Sequence, residues 1–247
     1  AEFITTPEYC GGLKTQGSAF TPPSAPEESH PVLNGLRAFA KNKKKFFLIG
    51  SIAINGPDNK ILNRSFVIDD NGNIISRYDK IHLFDVNLSE RRSYRESASV
   101  HGGNKAVICK TPFAMMGQTI CYDLRFPNLY RELSQSGAEI LFVPAAFTQK
   151  TGQAHWHVLN RARAIENGAF VVAPCAIGKV DGGGASYGHS LIINPWGEVL
   201  ADGGDQVGVI NTVIDLDEVG IARQRIPSLR HDKSFGITEG VELKAAQ

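Results

Sequence analysis

The sequence predicts a single α/β domain of mixed sheets with helices packed outside them. Two patterns carry this expectation. From Ile140 onward, short apolar runs alternate with segments of helical period, the signature of strand–helix–strand units. Before that point, paired strands flank short polar turns, which is hairpin chemistry, so the sheets are expected to mix parallel and antiparallel neighbours. No internal repeat, low-complexity tract or linker interrupts the 247 residues, and the Gly182-Gly183-Gly184 loop is too short to separate domains. Residues 1–247 therefore read as one domain, of a length that buries a sizeable core.

The elements follow in order. Phe3-Ile4-Thr5-Thr6 reads as a short strand stopped by Pro7. His30 to Lys45 places Val32, Leu33, Leu36 and Phe39-Ala40 at helical spacing, and Phe46 to Ile54 is an apolar strand running directly out of that helix. Ser65–Ile68 and Ile74–Tyr78 are strands joined by Asp69-Asp70-Asn71-Gly72-Asn73, where Asn-Gly tolerates the positive φ of a tight turn. Val107–Cys109 and Ala114–Ile120 form another strand pair. Pro127 to Ser136 reads as a helix with proline in its first turn and Gly137 as its stop. Ile140–Val143 and Phe170–Ala173 are buried strands around the helix Ala154–Asn167, which Gly168 ends. Ser190–Asn194 and Val207–Ile214 are expected strands separated by the turn Asn194-Pro195-Trp196-Gly197, and Leu216–Gln224 closes as a helix.

Composition narrows the function classes. Hydrophobic residues at 42% and charged residues at 21% are ordinary for a globular protein, so disorder is not expected. A net charge of +1 favours neither nucleic acid nor an anionic membrane as partner. The densest basic run, Ala40-Lys41-Asn42-Lys43-Lys44-Lys45, is better explained as a solvated last helical turn than as a binding patch. No apolar run reaches the ~20 residues that span a bilayer. Cys10, Cys109, Cys121 and Cys175 are widely spaced without a CxxC pair, which argues against zinc, dithiol and disulfide frameworks and for a reducing cytoplasm. No HExxH spacing, P-loop or GxGxxG fingerprint occurs, and His155 and His157 lie two apart, facing different sides of a helix. No metal or organic cofactor is expected.

Three reactive residues share a position just beyond an apolar strand: Glu8, Lys80 and Cys121. Ligands of open α/β sheets bind outside strand ends, so these three could converge on one crevice. Cys121 is the most informative, because a thiol at a strand-to-helix junction is presented on a bend where backbone N–H groups can hold an oxyanion. A free thiol is mostly protonated at neutral pH and needs a base or cation beside it. A competing pattern, Gly184-Ala185-Ser186-Tyr187-Gly188, fits the G-x-S-x-G of serine hydrolases. That pattern works only between a strand and a helix, whereas here a glycine loop precedes it and a strand follows.

Tyr78-Asp79-Lys80-Ile81-His82-Leu83-Phe84-Asp85 and Gly117-Gln118-Thr119-Ile120-Cys121-Tyr122-Asp123-Leu124-Arg125-Phe126-Pro127 resemble the lysine and cysteine motifs of the nitrilase, or carbon–nitrogen hydrolase, superfamily. Thr6-Pro7-Glu8 matches its glutamate motif, and Tyr94-Arg95-Glu96-Ser97 resembles the segment bearing a second glutamate. His155-Trp156, Arg161 to Asn167, Ser186 to Ser190 and Asn194 to Glu198 continue the match in order, from Glu2 to about Phe235. The branch it resembles most is the Nit-type amidases, which include omega-amidase and deaminated glutathione amidase.

The resemblance implies an α-β-β-α sandwich of two mixed sheets flanked by helices, with a further strand and helix ahead of Ala1, and a homodimer or higher homo-oligomer. It implies a cysteine-dependent amidase acting through a thioester, with Glu8, Lys80, Cys121 and Glu96 catalytic. Tyr122, Phe147 and Thr148 would contribute the oxyanion and substrate contacts. The expected substrate is a small omega-amide of a carboxylic or keto acid, releasing ammonia or amine. An N-carbamoyl amidohydrolase, or a non-catalytic scaffold on the same fold, is the alternative. Arg161 and Arg163 are expected to make structural ion pairs more readily than to meet a substrate carboxylate.

Overall fold

The computed structural model describes residues 1–89 and 92–240, so the last seven residues of the expected domain lie outside the described residues. Two mixed sheets form the centre. The first runs Phe3–Thr5, Phe46–Asn55, Ile61–Ile68, Ile74–Asp79, with Ser24–Ala25 paired to the far end of Phe46–Asn55. The second runs Val107–Lys110, Met115–Gln118, Ile140–Phe142, Phe170–Ala173, Leu191–Ile193, Val199–Asp202, with Ile140–Phe142 parallel to both of its neighbours.

Side-chain alternation along the strands builds the layers. Leu48 and Val67 of the first sheet share a core with Met116, Ile140, Phe142 and Phe170 of the second, so these residues lie between the sheets. Their neighbours Phe47, Ile49, Phe66 and Ile68 face the other way, onto Leu33 and Ala40 of helix α1 (Pro31–Lys43). On the outer face of the second sheet, Leu141, Val171 and Ile193 pack with Leu133 of α2 (Pro127–Gln135) and Trp156 of α3 (Gln149–Asn167). Period-two strands and one apolar stripe per helix produce a helix–sheet–sheet–helix stack.

Helix α1 has Pro31 in its first turn and ends at Lys44 in the left-handed region, with Lys41 and Lys43 in the last turn, as a solvated C-terminus requires. The Asp69–Asn73 turn closes the expected hairpin, Asp69 accepting from the N–H groups of Asn71 and Asn73. Helix α3 begins at Gln149, five residues before its expected start. Gly152 lies inside the helix, where the Tyr187 side chain crosses it. A Cβ there would fall 2.3 Å from Tyr187 Cγ.

The expected strand Val207–Ile214 is not present. Val207, Val209 and Val213 are 91%, 92% and 94% exposed, and the segment has no regular structure. The strand that pairs with Leu191–Ile193 is Val199–Asp202, immediately after the turn. Asn194 Oδ1 accepts from the N–H groups of Trp196 and Glu198, folding the chain back at once and filling the sheet edge before residue 207 is reached. Helix α4 (Asp217–Arg225) follows close to its expected place. The hairpin of Asp85–Ser89 with Arg92–Arg95 and that of Ile177–Lys179 with Ala185–Tyr187 carried no recognised sequence signal.

Candidate active site

Strand register explains how distant residues meet. Phe3–Thr5, Phe46–Asn55 and Ile74–Asp79 run in one direction, and the pairings Thr5↔Leu48, Leu48↔Val67 and Val67↔Ser76 put Thr5 level with Ser76. Across the sandwich, the Ser76 hydroxyl donates to Gln118 Oε1, fixing the end of Met115–Gln118 at the same level. Glu8 lies three residues beyond Thr5, Lys80 four beyond Ser76 and Cys121 three beyond Gln118. Gly50 makes room for the first of these exits, since a Cβ there would lie 2.0 Å from Thr6 O.

The three side chains, with Glu96, form one buried cluster. Lys80 Nζ donates to Glu8 Oε1 at 2.9 Å and to Glu96 Oε1 and Oε2 at 3.1 and 2.9 Å. Asn63 Nδ2 donates to both acids, at 2.9 Å to Glu8 and 3.2 Å to Glu96. The second Glu8 oxygen accepts from the Ala146 N–H at 2.8 Å, and the second Glu96 oxygen from the Phe84 N–H at 2.6 Å. Glu96 is fully buried behind the lysine and is delivered by the short 3-10 turn after Arg92–Arg95.

Electrostatics set the resting charges. Burial alone would strip the Lys80 proton, but the Glu8 and Glu96 carboxylates overcome it and hold the ammonium well above the ordinary lysine range. Burial raises Glu96 above the usual carboxylate range, with Lys80 opposing the rise. Burial, reinforced by the Glu8 charge and opposed by Lys80, pushes the Cys121 thiol well up. The sulfur therefore rests protonated beside a carboxylate that can take its proton.

Cys121 has φ 49°, in the left-handed region that bulky residues seldom adopt, and opens a 3-10 turn to Arg125. Its N–H donates to Pro144 O at 2.9 Å. Asp123 holds the turn from below. Fully buried, it accepts from the Tyr78 hydroxyl at 2.6 Å, the Ile120 N–H at 2.9 Å and the His82 N–H at 3.0 Å, with His82 Nδ1 at 2.7 Å. One carboxylate thus ties the lysine segment to the cysteine turn. An Asp123→Asn substitution turns an acceptor toward these donors into a donor, and should destabilise the fold by about 1–3 kcal/mol. Urea unfolding and kcat/KM should fall together, and wild-type values of both would make the network dispensable.

A narrow cavity of about 40 Å³ opens onto Glu8, Lys80 and Cys121. Tyr122, Phe147 and Thr148 line it, with Thr15, Phe20, Phe84, Tyr94, Thr151 and Ser186 among the others. Thr148 and Thr151 share a hydroxyl hydrogen bond of 2.7 Å, Phe147 packs on Trp156, and Arg125 lies over the Tyr122 and Phe147 rings. Arg163 bonds Glu166 and the Leu124 carbonyl, and Arg161 the Gly197 carbonyl, which are structural tasks. Ser186 sits in a short strand bridged to Thr148, not on a strand-to-helix elbow, yet it faces the cavity. Sequence reasoning weighed Ser186 only as a nucleophile and so missed it as a cavity wall. Asn63 and Asp123 were also unassigned. Asp123, two residues after the cysteine, was the more findable, as a short acid positioned to bond back to a turn's N–H groups.

The carbon–nitrogen hydrolase family model matches residues 1–224. The deaminated glutathione amidase of Synechocystis is 46% identical over 180 residues, covering 72% of this chain and 66% of that protein. The omega-amidase NIT2 of Homo sapiens is 35% identical over 188 residues, covering 76% of this chain and 68% of that protein. The crystal structure of the C. elegans NitFhit protein superposes with a TM-score of 0.82 at 29% identity, covering 94% of this chain and 57% of that one. The chain thus spans just under two thirds of the Synechocystis relative's length and little more than half of the worm protein's.

Proposed function

This chain belongs to the carbon–nitrogen hydrolase family, and we propose that it is a cysteine-dependent amidase, with residues 1–247 acting as one catalytic domain. The observation that carries the reading is the meeting of an ammonium, two carboxylates and a thiol in one buried cluster at a cavity, with Lys80 Nζ 2.9 Å from both acids. Glu8 takes the Cys121 proton as the sulfur attacks the amide carbonyl carbon. The carbonyl oxygen becomes an oxyanion held by the Lys80 ammonium and the Tyr122 N–H. Glu8 returns the proton to the departing nitrogen, the C–N bond breaks, and a thioester remains on Cys121. Glu8 then accepts a proton from a water that attacks the thioester, releasing the acid and restoring the thiol. Glu96 and Asn63 orient Lys80 and Glu8.

The substrate we propose is a small omega-amide of a carboxylic or keto acid. The narrow cavity and the Thr148–Thr151 hydroxyl pair support it, the hydroxyls offering donors to a remote carboxylate. The named activities of the relatives point the same way. Ammonia release across small amides tests this. A keto-acid omega-amide should exceed its neutral ester analogue in kcat/KM by more than about threefold, a ratio worth roughly 0.6 kcal/mol. A smaller preference removes the carboxylate contact but leaves the amidase reading. Turnover confined to carbamoyl amines would replace the substrate class.

We also propose a homodimer or higher homo-oligomer, supported by exposed Val158 and Ile165 on α3, Ile221 on α4 and Trp196. Among the described residues no helix is long and apolar enough to cross a membrane. The four free thiols support a cytoplasmic setting.

A further inference from the structure

A second cluster of titratable side chains lies away from the catalytic lysine and cysteine. His157 comes from α3, His189 from the loop before Leu191–Ile193, and Asp202 from the end of Val199–Asp202. His157 Nε2 stands 3.0 Å from Asp202 Oδ2, and His189 Nδ1 stands 2.9 and 3.1 Å from Asp202 Oδ1 and Oδ2. The donor atoms of all three residues lie within 4.8 Å of one another, and the two imidazoles meet edge to face at 5.1 Å.

The surroundings fix these donors. His189 has φ 54°, a left-handed conformation held from both sides: its N–H donates to Gly204 O at 2.7 Å, and its carbonyl accepts from Trp156 Nε1 at 2.7 Å. Its ring stacks on Tyr187 at 4.6 Å. Asp202 is oriented by the Gly204 N–H, at 2.8 Å to Oδ1. Trp156, fully buried, anchors the backbone of His189 and immediately precedes His157, so one dipeptide sets the positions of both imidazoles. The Gly204 N–H thus orients the carboxylate as an outer partner does in a metal site, while the backbone of His189 and ring packing hold the imidazoles.

We propose that His157 Nε2, His189 Nδ1 and a carboxylate oxygen of Asp202 bind one divalent cation of the zinc class, with water completing the shell. Two imidazoles and one carboxylate favour zinc, cobalt, nickel or copper over magnesium and calcium, which prefer all-oxygen sites. Bonds of ~2 Å place neighbouring donors a little over ~3 Å apart, close to the 3.0 and 2.9 Å at which the two ring nitrogens already stand from Asp202. Each ring nitrogen facing the metal must present a lone pair. A neutral histidine carries its proton on the other nitrogen, and a protonated one releases a proton to water on binding. The cation would clamp α3 to the Leu191–Ile193 and Val199–Asp202 hairpin. It would thereby steady the wall formed by Thr148, Thr151 and Ser186 without entering the reaction. In sequence the donors are 32 and 13 residues apart, a spacing that no local pattern records.

The test is titration of the full-length protein with Co²⁺ alone, followed by displacement with Zn²⁺ and challenge with Mg²⁺. The expected result is one cobalt per chain with visible d–d bands, displaced by zinc and indifferent to magnesium, and zinc raising the melting temperature. His157→Gln and His189→Asn should each weaken binding more than about tenfold, since loss even of an outer partner has an effect of that size. Asparagine tolerates the left-handed backbone at position 189. Sulfur-to-cobalt charge-transfer absorption would put the metal on a thiol and overturn the proposal. So would the absence of binding by the wild-type protein, or equal affinity in the His157→Gln variant.

Discussion

Cys121→Ala is expected to abolish amide turnover, by about 10⁴-fold or more, because loss of a covalent nucleophile leaves only binding and oxyanion stabilisation. The fold should survive. Alanine differs from cysteine by one sulfur atom, and both must accept the same backbone at φ 49°. The turn around the residue is held by Asp123 and by the Cys121 N–H to Pro144 bond, neither of which uses the thiol. A stability change of about 1 kcal/mol, typical of a single substitution, is the most that should appear. With a slow substrate, the intact mass of the wild-type enzyme should gain an acyl group that maps to Cys121. Because Ser186 faces the same cavity, the measurement discriminates: an adduct on Ser186, or an active alanine variant, would move the chemistry to the hydroxyl.

Glu8→Gln and Lys80→Met should each lower kcat by about 10²–10³-fold, while KM moves far less, since a charge aimed at the oxyanion or the moving proton acts chiefly in the transition state. The two variants should differ in stability. Glutamine keeps the size of Glu8 and can still accept from Ala146. Methionine at position 80 leaves Glu8 and Glu96 facing each other at a site where the ammonium was only 2% exposed, and breaking a buried ion pair from one side costs about 3–5 kcal/mol. The pair can relieve this by keeping one proton. A carboxyl whose folded pKa is raised above its unfolded value contributes stability at low pH and loses it as pH rises through the folded value. Lys80→Met should therefore melt highest in acid and weaken toward neutral pH. Adding Glu96→Gln should restore its stability without restoring kcat. Near-wild-type kcat in either single variant would remove that residue from the mechanism.

What the sequence alone determined is what short-range physics encodes. The apolar runs and their breaks placed Phe3–Thr5, Ile74–Asp79 and Phe170–Ala173 within a residue, because a strand packed in a layered core leaves a short apolar or alternating run with a clear stop. Asn71-Gly72 marked its hairpin because positive φ is costly elsewhere. Glu8, Lys80 and Cys121 stood out because each interrupts an apolar stretch at a strand end, and the resemblance added Glu96. The same local reasoning failed at Val207–Ile214, where β-forming residues stay exposed, because Val199–Asp202 already takes the place beside Leu191–Ile193. Only the tertiary structure decided that Thr5, Ser76 and Gln118 share a level, and hence that the three reactive side chains meet. It also decided that Asn63 bridges two carboxylates, that Ser186 lines the cavity, and that His157 and His189 both face Asp202. The physical reason is range: propensity and periodicity act over a few residues, whereas these contacts join positions 13 to 138 apart that only packing brings into hydrogen-bond reach.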